Sequence, residues 1–503
     1  MKKSILFFLL LSSITLLAQT DTKRDYQWLI GYSSKNNGTG IDSVWGNSII
    51  NFNFKPAKSY FQYTDMYFRS NIASISDTSG KLLFYTNGIY IADKTHQPMK
   101  NGEGLNPGKD SENEKKYGSI NAGGSIILPK PKSNNLYYLI HSSIILDIVG
   151  EFGEYKGENL YYSLVDMSKN DRKGEVIEKN QKLLGKFIDP GKITACRHGN
   201  GEDWWIIVAD FDTKNYNIFL LSFDGIKLIE KQTFPQGANG GLGQAVFSPD
   251  GTKYTRFNGY IIHGGIYADV FDFDRCSGKL SNQQHWQYKT DTMYAGGIAI
   301  SPNSKYLYVS AYSKIYQYDL QADDVFSTVD TVAIHDNVTY NGFGTRFFLA
   351  QLAPDNKIYI TIPSTSIYYH VIENPDKKGK ACNVKQRGFK LPTKNYTTIP
   401  NFPYFRLGAA ATLCNSVASE ELNEKTDFKI YPNPTSDYLY LSYDKEKLQH
   451  SQLIISDVQG RILLQNDLQN DEVGVQNFPK GIYFLQILKE NKAVFREKVV
   501  ILE

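Results

Sequence analysis

The chain has 503 residues, of which 41% are apolar and 21% are charged, a composition that excludes an intrinsically disordered protein. Its 55 basic and 52 acidic side chains leave a formal net charge of +3, which gives no electrostatic footprint for nucleic acid. The 35 Tyr and 28 Phe against 5 Met favour strands over helices.

Residues 1–18 have the pattern of a secretory signal peptide. Lys2 and Lys3 form a charged start, an apolar stretch runs from Ile5 to Leu17, and Ala18 precedes a polar continuation. The stretch is shorter than the roughly 20 residues of a membrane-spanning helix, so a signal peptide is predicted, with a membrane anchor as the alternative. No later segment has 18 consecutive apolar residues, and no membrane span is predicted in the mature protein.

Near the N-terminus, residues 26–34 resemble the second strand of a repeated unit that is seen more clearly downstream, and residues 48–54 resemble another such strand. Neither piece has a first strand before it. The segment Ile399–Leu413 begins one repeat after Leu352 and is predicted to supply that strand. The two ends of the chain would then share a sheet, which would remove free sheet edges.

The repeated unit is clearest between Gly296 and Leu320. Two alternating apolar runs flank a Ser-Pro-Asn-Ser turn, and a third run follows after a short polar break. Period-2 alternation indicates half-buried strands, and Pro302 presets the second position of a type I turn. The unit is therefore predicted to be an antiparallel meander.

The unit recurs along the chain. Strong copies begin at Phe247, Ile300 and Leu352, which are 53 and 52 residues apart, and weaker copies begin at Ile75, Leu128 and Ala195. A strand repeat of this length with no helical pattern between copies predicts a radial array of four-stranded blades. In its turn motif the chain resembles WD-like β-propellers. Seven blades are predicted for residues 19–414, with six as the alternative if the terminal pieces only pack beside the ring.

Four longer pieces carry a closer resemblance. They are residues 73–91, 195–208, 271–282 and 399–408. Together they resemble a group of secreted Bacteroidetes propellers, although Glu202 stands where that group has Arg before Asp-Trp-Trp. The resemblance implies an architecture and an exported protein, but no reaction.

Four cysteines, Cys196, Cys276, Cys382 and Cys414, predict disulfides in an exported chain, and three pairings are open. Cys382 and Cys414 enclose a loop of about 30 residues, so this pair is favoured, and Cys196 with Cys276 would then link neighbouring blades. Buried free thiols are the alternative. The absence of a Cys-x-x-Cys motif argues against a zinc or redox site.

Residues 415–426 are polar and acidic and show no alternation, which predicts a linker. Three alternating blocks follow, at residues 428–444, 453–468 and 473–503, with Gly, Pro or Asn at the breaks. They predict a small all-β sandwich over residues 427–503.

Several motifs occur in a fixed order in this tail. They are Tyr431, Pro432, Asn433 and Pro434 at its start, Asp457 and Gly460 at its middle turn, Gly481 and Tyr483 in its penultimate strand, and Lys498 in its last strand. In this order they resemble the type A C-terminal sorting domain of the type IX secretion system. The resemblance implies recognition by the export machinery, removal of the tail by a sortase-like peptidase that cuts in the linker, and attachment to an anionic lipopolysaccharide. It implies that the protein is located at the cell surface or outside the cell. The alternative interpretation of the tail is a binding module that decorates an enzyme.

Motifs that carry chemistry are scarce. The chain has no His-Glu-x-x-His and no Gly-x-Ser-x-Gly. Asp272 and Asp274, with Asp269 before them, would share one face of a strand and would suit a calcium ion. Asp at a strand end before a turn is the alternative, and Asp210 and Asp212 repeat the pattern. No other cofactor is predicted.

An aromatic pair follows the turn that holds His198 and Asp203. Trp204 and Trp205 are predicted to pack in the core, with stacking against a ligand as the alternative.

Three functions fit these features. The first is an exported binding protein whose loops recognise a glycan or a protein without turnover, with the central channel as the default pocket. The alternative is a glycan hydrolase or lyase with a carboxylate pair in the channel. The second alternative is a structural component of the surface or gliding apparatus.

Overall fold

The computed structural model describes residues 22–35, 44–149, 152–185, 187–237, 240–241, 243–259, 265–288, 296–410, 414, 428–457, 462–489 and 492–502. The predicted signal peptide (1–18), the predicted linker (415–426) and Gly460 lie outside these residues. The chain divides into two compact units, Met1–Cys414 and Asn415–Glu503, and each is described by itself.

Consecutive antiparallel meanders make up the first unit. The first meander has three strands, β1 (Gln27–Gly31), β2 (Asn47–Asn51) and β3 (Lys58–Gln62). Two four-stranded meanders follow, joined between β7 and β11 into one eight-stranded sheet. Their strands are β4 (Ala73–Ser76), β5 (Leu82–Thr86), β6 (Tyr90–Asp93), β7 (Pro98–Glu103), β8 (Ser125–Pro129), β9 (Leu136–Val149), β10 (Phe152–Asp166) and β11 (Glu175–Leu184).

Four separate four-stranded meanders come next. The first two are β12 (Thr194–Arg197), β13 (Trp204–Ala209), β14 (Asn215–Ser222) and β15 (Gly225–Thr233), and then β16 (Gly243–Phe247), β17 (Lys253–Asn258), β18 (Ile266–Phe273) and β19 (Leu280–Tyr288). The third is β20 (Gly297–Ile300), β21 (Tyr306–Ala311), β22 (Lys314–Asp319) and β23 (Asp330–Ile334). After the hairpin β24 (Thr339–Tyr340) and β25 (Phe343–Gly344), the fourth is β26 (Ala350–Leu352), β27 (Ile358–Ile360), β28 (Ser366–Ile372) and β29 (Val384–Asn395). The described helices are short: α1 (Lys109–Asn113) and the 3₁₀ turns Asn170–Arg172, Phe326–Thr328 and Gly379–Cys382.

Local hydrogen bonds explain why the repeated turn forms. The Ser301 hydroxyl bonds to the Asn303 side chain at 2.7 Å and accepts the Tyr306 amide at 2.8 Å. In the preceding copy, the Ser248 hydroxyl accepts the Lys253 amide at 2.9 Å. Side-chain groups of this kind stabilise tight turns, so the motif sets the pairing of the first two strands.

The first strands of successive four-stranded meanders pack beside one another, as seen for β12 with β16, β16 with β20 and β20 with β26. These strands therefore face a common axis, and the fold is the predicted β-propeller, built almost wholly from strands. Counting β1–β3 as a blade gives seven and leaving it out gives six, so the blade number stays a prediction.

The prediction that residues 399–413 pair with β1 in a blade shared by the two chain ends is wrong. Among the described residues, β1 pairs only with β2, and the described part of Ile399–Leu413 forms no strand. Pro400 and Pro403 lack the N–H groups that a sheet ladder requires, which explains why the segment does not extend the sheet.

The second unit contains two packed sheets, as expected for a sandwich. One has the order β30 (Lys429–Tyr431), β31 (Tyr438–Ser442), β34 (Glu472–Gly474). The other has the order β33 (Ile462–Asp467), β32 (Gln452–Asp457), β35 (Gly481–Lys489), β36 (Lys492–Ile501). Leu439 and Leu441 of the first sheet share one buried cluster with Ile455, Leu485 and Val499 of the second.

The motif that opens this unit holds its last strand. The Asn433 amide donates to the Lys498 carbonyl at 2.6 Å, and its oxygen accepts the Val500 amide at 2.9 Å. Thr435 continues the contact, since its amide donates to the Val500 carbonyl at 3.0 Å. In the neighbouring strand, the Tyr483 hydroxyl donates to the Pro479 carbonyl at 2.6 Å.

We expect Asn433→Ala to lower the stability of the sorting unit by roughly 1–3 kcal/mol, because two hydrogen bonds to the last strand are lost. Chemical unfolding of the full chain, followed by a probe in this unit, measures the change. Asn470→Ala, at an exposed position, is the control. An Asn433→Ala protein that unfolds and is exported like the control would contradict the assigned role.

Candidate functional site

The central channel is the default ligand site of a propeller, and here residues 396–410 occupy it. We call the end at which the inner strands β4, β8 and β12 begin the front face, and the end at which they finish the back face. The segment runs from the front face to the back face, between the inner strands of the ring.

At the front face, Asn401 binds the starts of three inner strands. Its backbone N–H donates to the Ile72 carbonyl at 3.3 Å. Its side-chain amide lies 2.8 Å from the Ile193 carbonyl, 3.1 Å from that of Ser125 and 3.3 Å from that of Gly123. The side-chain amide and the backbone N–H of this residue together reach carbonyl groups of three meanders.

In the middle of the channel the segment is apolar and buried. The Phe402 ring lies 6.1 Å from Trp28, and the Phe405 ring lies 5.7 Å from Trp204 in an edge contact. Both phenylalanines belong to the large core cluster of the ring, together with Ile399. The segment is therefore part of the core and not a loop resting on it.

At the back face, polar contacts hold the segment. The Arg406 guanidinium lies 2.8 Å and 3.0 Å from the two oxygens of the buried Asp25 carboxylate. The Ala410 amide donates to the Gly199 carbonyl at 2.9 Å, and the Arg275 guanidinium donates to the Gly408 carbonyl.

The exit of the segment is covalently fixed. Cys414 forms a disulfide with Cys276 in the β18–β19 turn, with 5.2 Å between their Cα atoms. Cys196 and Cys382 are buried free thiols, and burial raises the pKa of Cys196 to about 12. One disulfide is thus present, but the favoured pairing of Cys382 with Cys414, and of Cys196 with Cys276, is wrong. The chain crosses the channel between Cys382 and Cys414, so their closeness in sequence does not place them together.

The described residues enclose a small cavity beside the segment. The cavity between residues 402–406 and the strands β12, β16, β20 and β26 measures about 40 Å³. A water molecule needs at least about 10–15 Å³ measured in this way, whereas small-molecule sites span roughly 300–1,000 Å³. The cavity therefore has room for a few waters but not for a sugar.

The two carboxylates predicted to bind calcium have separate partners. Asp272 accepts a hydrogen bond from Lys253 and another from the Asn282 amide at 2.6 Å. Burial raises the pKa of Asp272, but these two hydrogen bonds outweigh it and the pKa lies below its ordinary value. Asp274 caps its own turn through the Cys276 amide and the Ser277 hydroxyl.

The remaining acidic residues of the two clusters are also engaged. Asp210 lies 2.8 Å from the Asn217 amide and 2.9 Å from the Lys231 ammonium, and Asp212 accepts the Lys214 amide at 3.1 Å. Within the described part of the chain, no group of three or more His, Cys, Asp or Glu side chains is placed to hold a metal ion. Calcium binding by Asp272 and Asp274 stays a prediction.

Both tryptophans lie in the core. Trp204 is 0% exposed, and the Arg197 guanidinium lies 3.9 Å from its ring centre. Trp205 is 3% exposed, and its indole N–H donates to the Arg275 carbonyl at 2.7 Å. Ligand stacking needs an exposed ring face, and neither side chain offers one.

A buried charge network links the connection before β12 to the meander β16–β19. The Asp189 carboxylate lies 2.7 Å from Lys192 and 2.8 Å from Arg256. Arg256 also lies 3.6 Å from Asp269, whose other oxygen is 2.7 Å from His285. Burial lowers the pKa of Lys192 to about 8. No motif in the sequence indicates this network, since Asp189 and Arg256 are 67 residues apart. The charged groups of the network bind one another.

We expect Asn401→Asp to destabilise the propeller by roughly 3 kcal/mol or more, because a carboxylate would replace an amide donor among carbonyl oxygens. Asn401→Ala, which only removes the donor, should cost less. Thermal unfolding of the full chain measures both changes. Asn134→Asp, at an exposed turn, is the control, and equal melting temperatures for Asn401→Asp and this control would refute the assignment.

We expect Cys276→Ser to lower the stability of the propeller by about 2–5 kcal/mol, since the disulfide closes a loop with a sequence separation of 138 residues. Peptide mapping without reduction should recover Cys276 bound to Cys414, and protease should cut residues 396–414 faster in the variant. Cys382→Ala, which removes a free thiol, is the control. Recovery of a peptide that joins Cys382 to Cys414 would show that the pairing is wrong.

The comparisons with known proteins separate the two units. Residues 429–502 match the family model described as a secretion system C-terminal sorting domain. No curated protein matches the chain. In the described residues, no helix combines the length and the hydrophobicity that crossing a bilayer requires.

Several solved structures are similar at 12% identity. A Lactobacillus plantarum protein matches over 75% of this chain and 97% of its own, with a TM-score of 0.41. PorZ, described as an essential surface component of the type IX secretion system of Porphyromonas gingivalis, matches over 91% and 68%, with a TM-score of 0.31. A periplasmic gluconolactonase of Pseudomonas aeruginosa matches over 73% and 96%, with a TM-score of 0.34.

Structural similarity at these TM-scores does not indicate function. The β-propeller fold is assigned from the strand topology of this chain. The tail is more informative, because its motifs, its two sheets and its family match agree. It is a C-terminal sorting domain of the type IX secretion system, and the protein is exported across the outer membrane to the cell surface or the extracellular space.

Proposed function

We propose that the exported propeller is a binding protein that recognises a glycan or a protein at its surface without turnover. The observation that carries this proposal is the channel segment, which leaves a cavity of about 40 Å³ at the place where a propeller normally holds a small substrate. Contacts with a partner would then be made by the connections between strands, where binding residues are commonly found on rigid scaffolds.

The cavity lining also argues against glycan cleavage. Glycoside hydrolysis commonly needs two carboxyl groups on either side of the scissile bond. Among the described residues that line this cavity, the acidic side chain is Asp25, and it is paired with Arg406. A hydrolase or lyase remains the alternative function, and a structural role in the surface or gliding apparatus remains the second alternative.

The fate of the tail belongs to the same proposal. The export machinery would recognise the sorting domain, a sortase-like peptidase would cut within residues 415–426, and the propeller would be attached to an anionic lipopolysaccharide or released. Because the Cys276–Cys414 disulfide lies before the linker, the cut would leave the channel segment in place.

We expect purified full-length protein to bind immobilised glycans or proteins of the cell surface, and to release no reducing ends or unsaturated products from polysaccharides. Binding to a glycan array, together with product analysis after prolonged incubation, tests both parts. Sustained product release that is lost in Asp25→Asn would contradict the proposal and support the hydrolase.

A second measurement distinguishes a ligand bound at the surface from one bound in the channel. Phe402→Ala would enlarge the channel cavity, which this buried side chain lines. The affinity for a ligand held in the channel should therefore change, whereas a surface ligand should bind within about threefold of the unchanged protein. Retained melting behaviour is the control for folding.

A further inference from the structure

A group of aromatic side chains gathers at the front face, beside the point where residues 396–410 enter the channel. We call it the front-face aromatic cluster. It consists of Tyr32, Trp45, Tyr67, Tyr117 and Tyr396, which come from five positions in the connections around β1, β2, β4, β8 and β29.

The rings of the cluster brace one another. Tyr67 makes edge contacts with Tyr32 at 5.0 Å and with Tyr117 at 5.6 Å, and Tyr32 makes another with Trp45 at 4.9 Å. Edge-to-face geometry is favourable for aromatic pairs, so each ring fixes the orientation of the next. The Tyr32 hydroxyl is held in addition by Thr365.

Tyr396 lies beside the same group, because the hydroxyl of its neighbour Thr397 donates to the carbonyl of Arg69 at 3.2 Å, two residues along the chain from Tyr67. Burial raises the pKa of Tyr67, and the nearby hydroxyls of Tyr32, Tyr396 and Tyr117 raise it further, although Arg69 opposes this. The cluster therefore converges on Tyr67, with Tyr396 contributed by the segment that continues into the channel.

Part of the cluster is open to solvent. Tyr117 is 42% exposed and Tyr396 is 37% exposed, while Tyr32 is buried beneath them. Rigid rings that are half exposed and held from below offer contact area at a low cost in conformational entropy.

Charged groups border the exposed rings. The Arg69 guanidinium lies 2.7 Å and 2.8 Å from the two oxygens of Glu114, and Lys394 lies 4.0 Å from the ring centre of Trp45. These groups and the tyrosine hydroxyls supply donors and acceptors around an apolar centre, as in ligand sites generally.

We propose that the front-face aromatic cluster binds a saccharide unit of a surface or environmental polysaccharide. A pyranose ring has an apolar face of C–H groups and a rim of hydroxyls, which match the tyrosine ring faces and the polar border. The inference rests on the proposed function, and it places the contact at Tyr117 and Tyr396.

The path of the chain supports this location. Thr22, whose hydroxyl donates to the Phe405 carbonyl at 3.0 Å, and Cys414, bound to Cys276, both lie toward the back face. The described ends of the ring therefore lie at the end opposite the cluster.

The test compares full-length variants on an array of defined oligosaccharides and by titration with the best-bound one. Tyr117→Ala and Tyr396→Ala should each weaken binding about tenfold or more, as for aromatic anchors at the centre of an interface. Tyr117→Phe, which keeps the ring, should stay within about threefold. Phe223→Ala, at a side chain 53% exposed in the β14–β15 turn, should bind like the unchanged protein.

Each other result overturns the inference in a distinguishable way. Glycan binding that survives both alanine substitutions would show that the saccharide binds elsewhere, while the proposed binding function would stand. Binding to none of the oligosaccharides, with capture of a purified surface protein that depends on Tyr117, would show a protein ligand at this site. Turnover of a bound oligosaccharide would refute the proposed function itself.

Discussion

The hydrogen bonds of Asn401 are the contact on which the propeller most depends. Where β8 and β12 begin, the carbonyl groups of Gly123, Ser125 and Ile193 face Asn401, and buried carbonyls without a partner are costly. The Asn401 side chain lies within 3.3 Å of these three carbonyls. The segment that carries Asn401 then fills the axis with Phe402 and Phe405, so one stretch of chain satisfies the polar groups and completes the core.

This arrangement changes where function can reside. In an open propeller, the channel gives a concave site lined by several blades. Here the equivalent space is core, closed at the back face by Arg406 with Asp25 and by the Cys276–Cys414 disulfide. The surfaces that remain for a partner are the two faces and the rim of the ring. The front face carries exposed tyrosines, whereas the channel segment leaves the ring at the back face.

Local features of the fold could be predicted from the sequence, whereas long-range ones could not. The meanders follow from strand alternation and from turns such as Ser301–Ser304, whose hydrogen bonds are made within a few residues. The sorting domain was recognisable from the order of its motifs, and the structure shows why, since Asn433 holds the last strand. The path of residues 396–410 depends on carbonyls as far as 278 residues away. Contacts at this separation leave no pattern in the spacing of residues along the sequence. The predicted cysteine pairing was wrong for the same reason. The front-face tyrosines come from separate connections between strands, and no sequence motif predicts that they lie together.

The direction of the chain through the channel links these features. Because the segment enters at the front face and leaves at the back face, the first described residues and Cys414 both lie toward the back. The two ends of the described ring thus lie at the same end of the channel. Tyr396 links the front face to this path, since it contributes to the front-face aromatic cluster and begins the segment that occupies the channel. A substitution that displaces this segment should for that reason disturb the aromatic cluster as well as the core.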